Sequence, residues 1–183
     1  MGSYPVTEIC PYCGGDVILT TNDFIYGKRY GNHYWCYACV KCKASVGTHP
    51  DKSPLGRLAN DVLKKLKIQC HDLFDPIFQN GYMPRGRAYE EMGRRMGVDE
   101  LHFGWLDEED LIKAKGILLE WRKELAQNPV KNCLNCDFRK KRKRKNSWWC
   151  RNPASKSNDK QTNWDYCCDN WKAKEDKKCG YIA

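Results

Sequence analysis

The spacing of the cysteines constrains this fold more than any other feature. The chain has 12 cysteines in 183 residues, and Cys-x-x-Cys pairs occur near both ends. Two thiolates three residues apart can bend around one ion and supply half of a tetrahedral site, with Zn–S distances of roughly 2.3 Å. The first cluster contains Cys10, Cys13, Cys36, Cys39 and Cys42, and the second contains Cys133, Cys136, Cys150, Cys167, Cys168 and Cys179. The spacing therefore predicts zinc sites.

A disulfide framework is the competing interpretation, and it is typical of small secreted chains. The first residues show no basic region followed by an apolar run. No stretch approaches the roughly 18 apolar residues of a membrane span. We therefore expect a soluble, cytoplasmic protein whose thiols stay reduced and free to bind metal. Cys70, alone between the clusters, is predicted to be a small buried residue rather than a ligand.

The first cluster predicts a zinc ribbon built from β-hairpins over residues 1–52. In the segment 10–15, Pro11 fixes φ and the glycines permit a tight turn of the knuckle type. Two β-rich runs, 16–21 and 30–35, flank the loop at Gly27. The second half of the site is open, because Cys36 with Cys39, Cys39 with Cys42, and Cys36 with Cys42 all fit. Four ligands suffice, so one of these three cysteines is spare.

Residues 53–128 predict a helical segment of about three helices that packs with the ribbon as one domain. The first helix is expected to start at Ser53-Pro54, the second to run from Pro84 to Met96, and the third to begin at Asp107. Apolar residues at helical spacing in the first helix are its candidate core: Leu55, Leu58, Ala59, Val62 and Leu66. The fold class is therefore α+β.

Several polar groups in the first 128 residues have a catalytic or metal-binding interpretation beside a structural one. His71, next to Asp72 and Asp75, could serve as a general base. Both carboxylates equally suit helix caps, and no nucleophile lies at a known motif spacing from His71. His49 is a possible zinc ligand, although cysteines lie closer. The acidic run 107–110 suits Mg²⁺ or a helix N-terminus. We predict no catalytic residues.

The motifs of residues 9–112 resemble a family of zinc-finger-containing domains found mainly in bacteriophages and prophages. The matching segments are Cys10-Pro11-Tyr12-Cys13-Gly14, Tyr26-Gly27, Tyr30-Gly31, Trp35-Cys36, Cys42 to Pro50, Pro54 to Ala59, His71 to Pro76, Ala88-Tyr89 and His102 to Asp107. The resemblance implies that Cys39 is the spare cysteine and that the ligands are Cys10, Cys13, Cys36 and Cys42. It also implies a phage protein in a bacterial host, without an activity to transfer.

Residues 129–183 look like a separate, basic module rich in cysteine and tryptophan. Residues 131–183 carry 15 Lys or Arg against 6 Asp or Glu, so they account in effect for the net charge of +9. The predicted second zinc site is Cys133, Cys136, Cys150 and Cys168, with Cys167 as the alternative to Cys168. An iron–sulfur cluster or no metal are the other interpretations of this module.

Seven consecutive cations lie between Cys136 and Cys150, and they are the predicted partner-binding residues: Arg139, Lys140, Lys141, Arg142, Lys143, Arg144 and Lys145. Such a run neutralises phosphates without reading base sequence. The structural alternative is a solvated arm. Nearby aromatic residues suit either stacking on unpaired bases or the core of a small module: Trp148, Trp149, Trp164, Tyr166 and Trp171.

Three functional classes follow from the sequence. The first is a non-enzymatic, zinc-stabilised protein that binds nucleic acid or a nucleoprotein. The second is an inhibitor of a bacterial defence system, of the anti-CRISPR type, that binds an RNA-guided nuclease directly. The third is a metal-dependent nuclease or hydrolase, which an all-cysteine site disfavours because a catalytic zinc keeps one position open for water.

Overall fold

The computed structural model describes residues 4–127, 136, 138–141 and 148–155. The fold is α+β, as the sequence predicts, and clusters into two compact units. One unit comprises the described residues of 1–71 and 102–115, and the other comprises those of 72–101 and 116–183. No helix in the described ranges is both long and apolar enough to cross a lipid bilayer. The domain boundaries expected from composition, at residues 52 and 128, stay a prediction.

The first unit contains a three-stranded antiparallel sheet. Strands β1 (Val17–Thr21), β2 (Trp35–Cys39) and β3 (Ser45–Gly47) lie in that order, and the one-turn helix α1 (Asp23–Tyr26) follows β1. The predicted strand at 16–21 is confirmed. The predicted strand at 30–35 is wrong in position, because β2 begins only at Trp35 and runs to Cys39. The register pairs Val17 with Cys39 and Cys36 with Gly47.

The first long helix, α2 (Asp61–Gln79), starts later than the sequence predicts. The N–H of Leu63 donates to the side-chain oxygen of Asn60 at 2.9 Å, so Asn60 caps the helix. The predicted start at Ser53-Pro54 is wrong because that segment pairs with the sheet instead. Ala59 forms a β-bridge with Ser45, and Pro54 forms one with Thr48.

The expected role of Asp72 and Asp75 as helix caps is also wrong, because the segment 71–76 lies inside α2. Pro76 lies inside α2, three residues before its end, although proline removes one helical hydrogen bond. Burial explains the continuation, since Phe74 and Ile77 on either side of Pro76 are at most 1% exposed. The ring of Phe74 packs edge-on against Tyr89 with 4.6 Å between ring centres. This packing holds the last turn in place.

The other two helices begin where the sequence predicts. Helix α3 (Arg85–Met96) follows Pro84 and ends at Gly97, whose φ of 77° is the left-handed conformation that favours glycine. Helix α4 (Glu108–Gln127) is capped by Asp107, whose carboxylate accepts from the N–H of Asp110 at 3.0 Å. Cys70 is fully buried, as expected.

An arginine joins α3 to the C-terminal part of α4 in the second unit. Arg95 donates to Glu91 at 2.7 Å and to Glu124 at 2.6 Å, and its guanidinium lies 5.0 Å from the centre of the Trp121 ring. Hydrogen bonds from Arg94 and Arg95 lower the pKa of Glu91 to about 2 against the opposing effect of burial. This carboxylate is therefore ionised at neutral pH, and the network stabilises the helix pair.

In the first unit, the loop before α2 lies against the loop before α4 at two glycines. The N–H of Arg57 donates to the carbonyl of Gly104 at 2.9 Å, and its Nε donates to Trp105 at 3.2 Å. The ammonium of Lys67 donates to the same Gly104 carbonyl at 2.9 Å. A Cβ added at Gly56 would overlap the carbonyl group of Gly104, with 2.6 Å to its carbonyl carbon. Glycine at position 56 therefore permits this approach of the two loops.

We expect Gly56→Ala to destabilise the protein by about 2 kcal/mol, because backbone rather than a flexible side chain must move. Gly116→Ala is the matched control, since Gly116 lies in the middle of α4 and nothing lies within 4 Å of its added Cβ. There alanine should stabilise by up to about 1 kcal/mol. Urea unfolding of the zinc-loaded variants measures both changes. Equal stability of Gly56→Ala and the native protein would contradict the close approach.

Candidate metal centre

The four thiols that form a metal-type cluster in the described part of the chain are those of Cys10, Cys13, Cys39 and Cys42. Their sulfur atoms all lie within 4.8 Å of one another. The Sγ atoms of Cys10 and Cys42 are 3.5 Å apart, and those of Cys13 and Cys39 are 3.4 Å apart. All four cysteines are free thiols. The cluster therefore joins two segments of the chain that are far apart in sequence.

The first of these segments is the predicted knuckle at residues 10–15. The N–H of Cys10 donates to the carbonyl of Gly15 at 2.8 Å, and the N–H of Gly14 donates to the carbonyl of Cys10 at 2.9 Å. Gly14 adopts a left-handed φ of 68°, which turns the chain back on itself. The N–H groups of Tyr12 and Cys13 point at the sulfur of Cys10, and that of Gly15 points at the sulfur of Cys13.

The second segment, residues 39–44, repeats this pattern bond for bond. The N–H of Cys39 donates to Ala44 at 2.8 Å, and that of Lys43 donates to Cys39 at 3.1 Å. The N–H groups of Lys41 and Cys42 each lie 3.4 Å from the sulfur of Cys39, and that of Ala44 points at the sulfur of Cys42. Lys43 occupies the place of Gly14, with a left-handed φ of 62°. The two knuckles are therefore related by local structure without sharing glycine.

The geometry of the four sulfurs fits a zinc ion. Sulfurs at the corners of a tetrahedron with Zn–S bonds of about 2.3 Å are about 3.8 Å apart, which lies within the observed range. Four thiolates select zinc or iron over Mg²⁺ and Ca²⁺, which prefer oxygen ligands. Backbone N–H groups reach all four sulfurs in the same way and stabilise their negative charge. The cluster is thus a site that can hold one zinc ion.

The backbone N–H groups around the cluster lower the pKa of one of its four thiols. Burial acts to raise the pKa of Cys39, but the N–H groups of Cys42 and Lys41 outweigh it and lower that pKa to about 6. Burial raises the pKa of Cys36. The pKa values of Cys10, Cys13 and Cys42 are raised too, because burial and neighbouring thiols outweigh the N–H groups aimed at their sulfurs. The pKa values therefore do not separate Cys36 from the ligands, and the positions of the sulfur atoms decide the set.

The structure corrects the ligand set that the resemblance implies, because Cys39 rather than Cys36 joins the cluster. Both cysteines lie in β2, where successive side chains point to opposite faces of the sheet. Residues three apart therefore lie on opposite faces. Cys39 shares its face with Val17, Tyr37 and Val46, which pack around the cluster. Cys36 lies on the other face and lines a separate cavity.

The close packing of the two knuckles gives Gly15 a second role in addition to the turn. A Cβ at Gly15 would lie 2.9 Å from the Cβ of Lys41 and 3.2 Å from the sulfur of Cys39. A side chain there would push the knuckles apart. Tyr12 ties the first knuckle to the loop before α2, since its hydroxyl donates to the carbonyl of Leu58 at 2.9 Å.

The other predicted ligands and polar sites fall elsewhere. His49 is not in the cluster, and Asp107 serves as a helix cap. His71, Asp72 and Asp75 all lie within α2, where the ring of His71 packs edge-on against Phe103. Of the second predicted site, Cys136 and Cys150 are buried thiols. Cys133, Cys167 and Cys168 lie outside the described residues.

We expect Cys39→Ser to lose the zinc of this site, because serine removes one of four thiolates. Cys36→Ser is the matched control, since it changes a buried cysteine of the same strand and should keep the metal. Native mass spectrometry with elemental analysis, on protein purified without added metal, measures the stoichiometry. Loss of zinc from Cys36→Ser with retention by Cys39→Ser would restore the ligand set that the resemblance implies.

The second cluster has its own test. If Cys133 to Cys168 hold a second zinc, the native protein carries two zinc ions and Cys133→Ser carries one, with the first site intact. Cys70→Ser serves as the control, because Cys70 is buried outside both clusters. A single zinc in the native protein, unchanged in Cys133→Ser, would contradict the second site, and iron in its place would indicate an iron–sulfur cluster.

Comparison with known proteins agrees with the geometry. The profile of the DUF3268 family, described as a zinc-finger-containing domain, matches residues 6–120, which is more than half of the chain. This range includes both knuckles and confirms the resemblance seen at residues 9–112. No curated protein and no solved structure matches the chain significantly. The chain belongs to this family of zinc-finger-containing domains.

Proposed function

We propose that this chain is a zinc-stabilised, non-enzymatic protein that binds nucleic acid or a nucleoprotein. In this proposal it is encoded by a phage and acts in the cytoplasm of the bacterial host. The observation that carries the proposal is the combination of a closed four-cysteine site with a run of seven cations at 139–145. The first gives a rigid scaffold, and the second gives attraction to phosphate.

The metal site supports a structural rather than a catalytic role. Four thiolates fill the coordination sphere of zinc, which leaves no position for an activated water. The bound ion supplies folding free energy by joining the two knuckles. The chain's own contribution is to present four sulfurs at the right separation and to stabilise their charge with backbone N–H groups.

Charge supports an anionic partner. The cationic run begins in strand β4 (Arg139–Lys141), which pairs with β5 (Trp148–Cys150). Cys136 before it and Cys150 after it are both buried, at 5% and 6% exposure. Residues 142–145 of the run lie outside the described residues. Like charges this close repel one another, so binding to phosphates relieves the repulsion.

The alternative proposal is that the chain inhibits a bacterial defence system by binding an RNA-guided nuclease directly. Such a nuclease presents both nucleic acid and charged protein channels, so the same cations suit it. The two proposals differ in their response to salt. Binding to bare phosphates weakens steeply with salt, whereas docking on a protein surface depends on it less.

We expect replacement of residues 142–145 by glutamine to weaken binding of a single-stranded oligonucleotide and to reduce its salt dependence. Each lost phosphate contact lowers the slope of log K against log salt by about 0.7, so four contacts lower it by up to about 3. Fluorescence anisotropy with a labelled oligonucleotide over a range of salt concentrations measures both effects. Gel analysis of the same mixtures detects cleavage.

The matched control removes four dispersed exposed cations, Lys65, Arg87, Lys113 and Lys123, and so changes the net charge equally. Equal weakening in both variants would show general charge attraction and contradict a binding run. Binding to an RNA-guided nuclease that survives high salt and loss of 142–145 would favour the inhibitor. Cleavage of the oligonucleotide, lost on His71→Ala, would contradict the non-enzymatic proposal.

A further inference from the structure

The sheet face that carries Cys36 borders an open cavity in the first unit. Its volume is about 460 Å³, which is in the range of sites that hold a small ligand. The walls come from β2 and β3, helix α1 with Asn22 before it, the loop at residues 55–59 and the N-terminal half of α2. By the strand register, Cys36 and Ser45 share this face, while the metal cluster lies on the other. None of the four cysteines of the metal cluster lines the cavity, which is therefore separate from the zinc site.

The charged residues in the cavity wall are all cations. Arg57, Lys64 and Lys67 line it, and no carboxylate is among its lining residues. Lys64 lies 3.7 Å from Asp61, whose side chain is 90% exposed and thus weakly held. Arg57 lies 3.8 Å from Asp107, also in an exposed pair. The charged side chains that an anion would meet in the cavity are therefore all positive.

Lys67 is the least compensated of the three. Its ammonium donates to the carbonyls of Arg57 at 3.3 Å and Gly104 at 2.9 Å, and no carboxylate within the described ranges pairs with it. Burial, with the nearby charge of Arg57, lowers the pKa of Lys67 to about 8. An ammonium has three N–H donors, so one is left after the two carbonyls. A bound anion would stabilise its charged form.

The cavity also offers flat apolar surface and a buried hydroxyl. Tyr26 and His33 line it, and Tyr26 is 55% exposed. Ser45 is only 7% exposed, and within the part of the chain that the structure describes its hydroxyl has no hydrogen-bond partner. Buried hydroxyls are normally paired. An additional polar ligand or a water would satisfy Ser45.

We infer that this cavity binds one nucleotide of a single-stranded nucleic acid, with a phosphate held by Lys64 and Lys67 and the base stacked on Tyr26. The inference rests on the proposed function. It adds a contact surface for nucleic acid in addition to the run at 139–145. Stacking on an aromatic ring requires an unpaired base, which a duplex does not offer. The cavity volume suits one nucleotide rather than a helix, and cations without carboxylates suit phosphate.

The test uses the full-length, zinc-loaded protein and a labelled short oligothymidylate. Lys64→Gln and Lys67→Gln should each weaken binding, and the double variant should reduce the salt slope by about 0.7 in total, because the two lysines hold one phosphate. Lys65→Gln is the matched control, because Lys65 is an exposed neighbour on the same helix that does not line the cavity. Tyr26→Leu should weaken binding roughly fivefold or more at constant salt, through loss of stacking.

Photocrosslinking with 4-thiothymidine, followed by peptide mapping, locates the base. We expect crosslinks in the segment 22–36 that persist when residues 142–145 are replaced by glutamine. An excess of duplex should compete poorly, whereas unlabelled single strand should compete fully. Thermal unfolding of each zinc-loaded variant separates a local effect on binding from loss of the fold. A variant that unfolds is left out, and the comparison then rests on the folded variants and on the position of the crosslinks.

The outcomes separate this inference from the proposed function. If the native protein binds no oligonucleotide, the proposed function fails. If it binds, but Lys64→Gln, Lys67→Gln and Tyr26→Leu all match Lys65→Gln and crosslinks fall only at 139–145, the inference alone is overturned. Equal competition by duplex or by an acidic peptide would also overturn it, since neither supplies an unpaired base.

Discussion

The convergence of four thiolates from two knuckles is the interaction on which the N-terminal part of the fold depends. The apolar cluster around it is small, with Cys10, Cys39, Ala44 and Leu58 as its buried members. Burial of these four side chains alone gives this face of the sheet little stability, and small domains often need a metal for the remainder. The metal supplies the missing free energy, and the N–H groups aimed at the sulfurs fix where it binds.

Local signals in the sequence predicted α3 and α4 correctly. Gly97 and Asp107 act within one turn of the helix that they end or begin, so no distant contact is needed to interpret them. The predicted start of α2 is wrong because a distant contact, rather than a local signal, decides it. Ser53-Pro54 is a good helix start in isolation, but Pro54 and Ala59 pair with the sheet edge at Thr48 and Ser45. Such non-local pairing overrides local preference, and spacing alone does not reveal it.

The spacing of the cysteines is also insufficient to identify the four metal ligands, but the strand pattern could have done so. Cysteine spacing leaves Cys36 and Cys39 equivalent, but a strand over 35–39 would have placed them on opposite faces. The second knuckle was harder to recognise because Lys43 and Ala44 stand where the first has two glycines. Lys43 adopts the left-handed conformation that glycine favours, so the knuckle is held by its hydrogen bonds rather than by its composition.

The two faces of the sheet illustrate how a metal changes what a small domain can carry. On the face with Cys39, the cluster takes the place of a larger apolar core. The opposite face is then less constrained to pack tightly, and it borders a cavity that contains Ser45, Lys64 and Lys67. Placing cations and a buried hydroxyl there costs stability unless a ligand or water compensates them. A sheet that is already held by a bound metal tolerates that cost better than a sheet held by apolar burial alone.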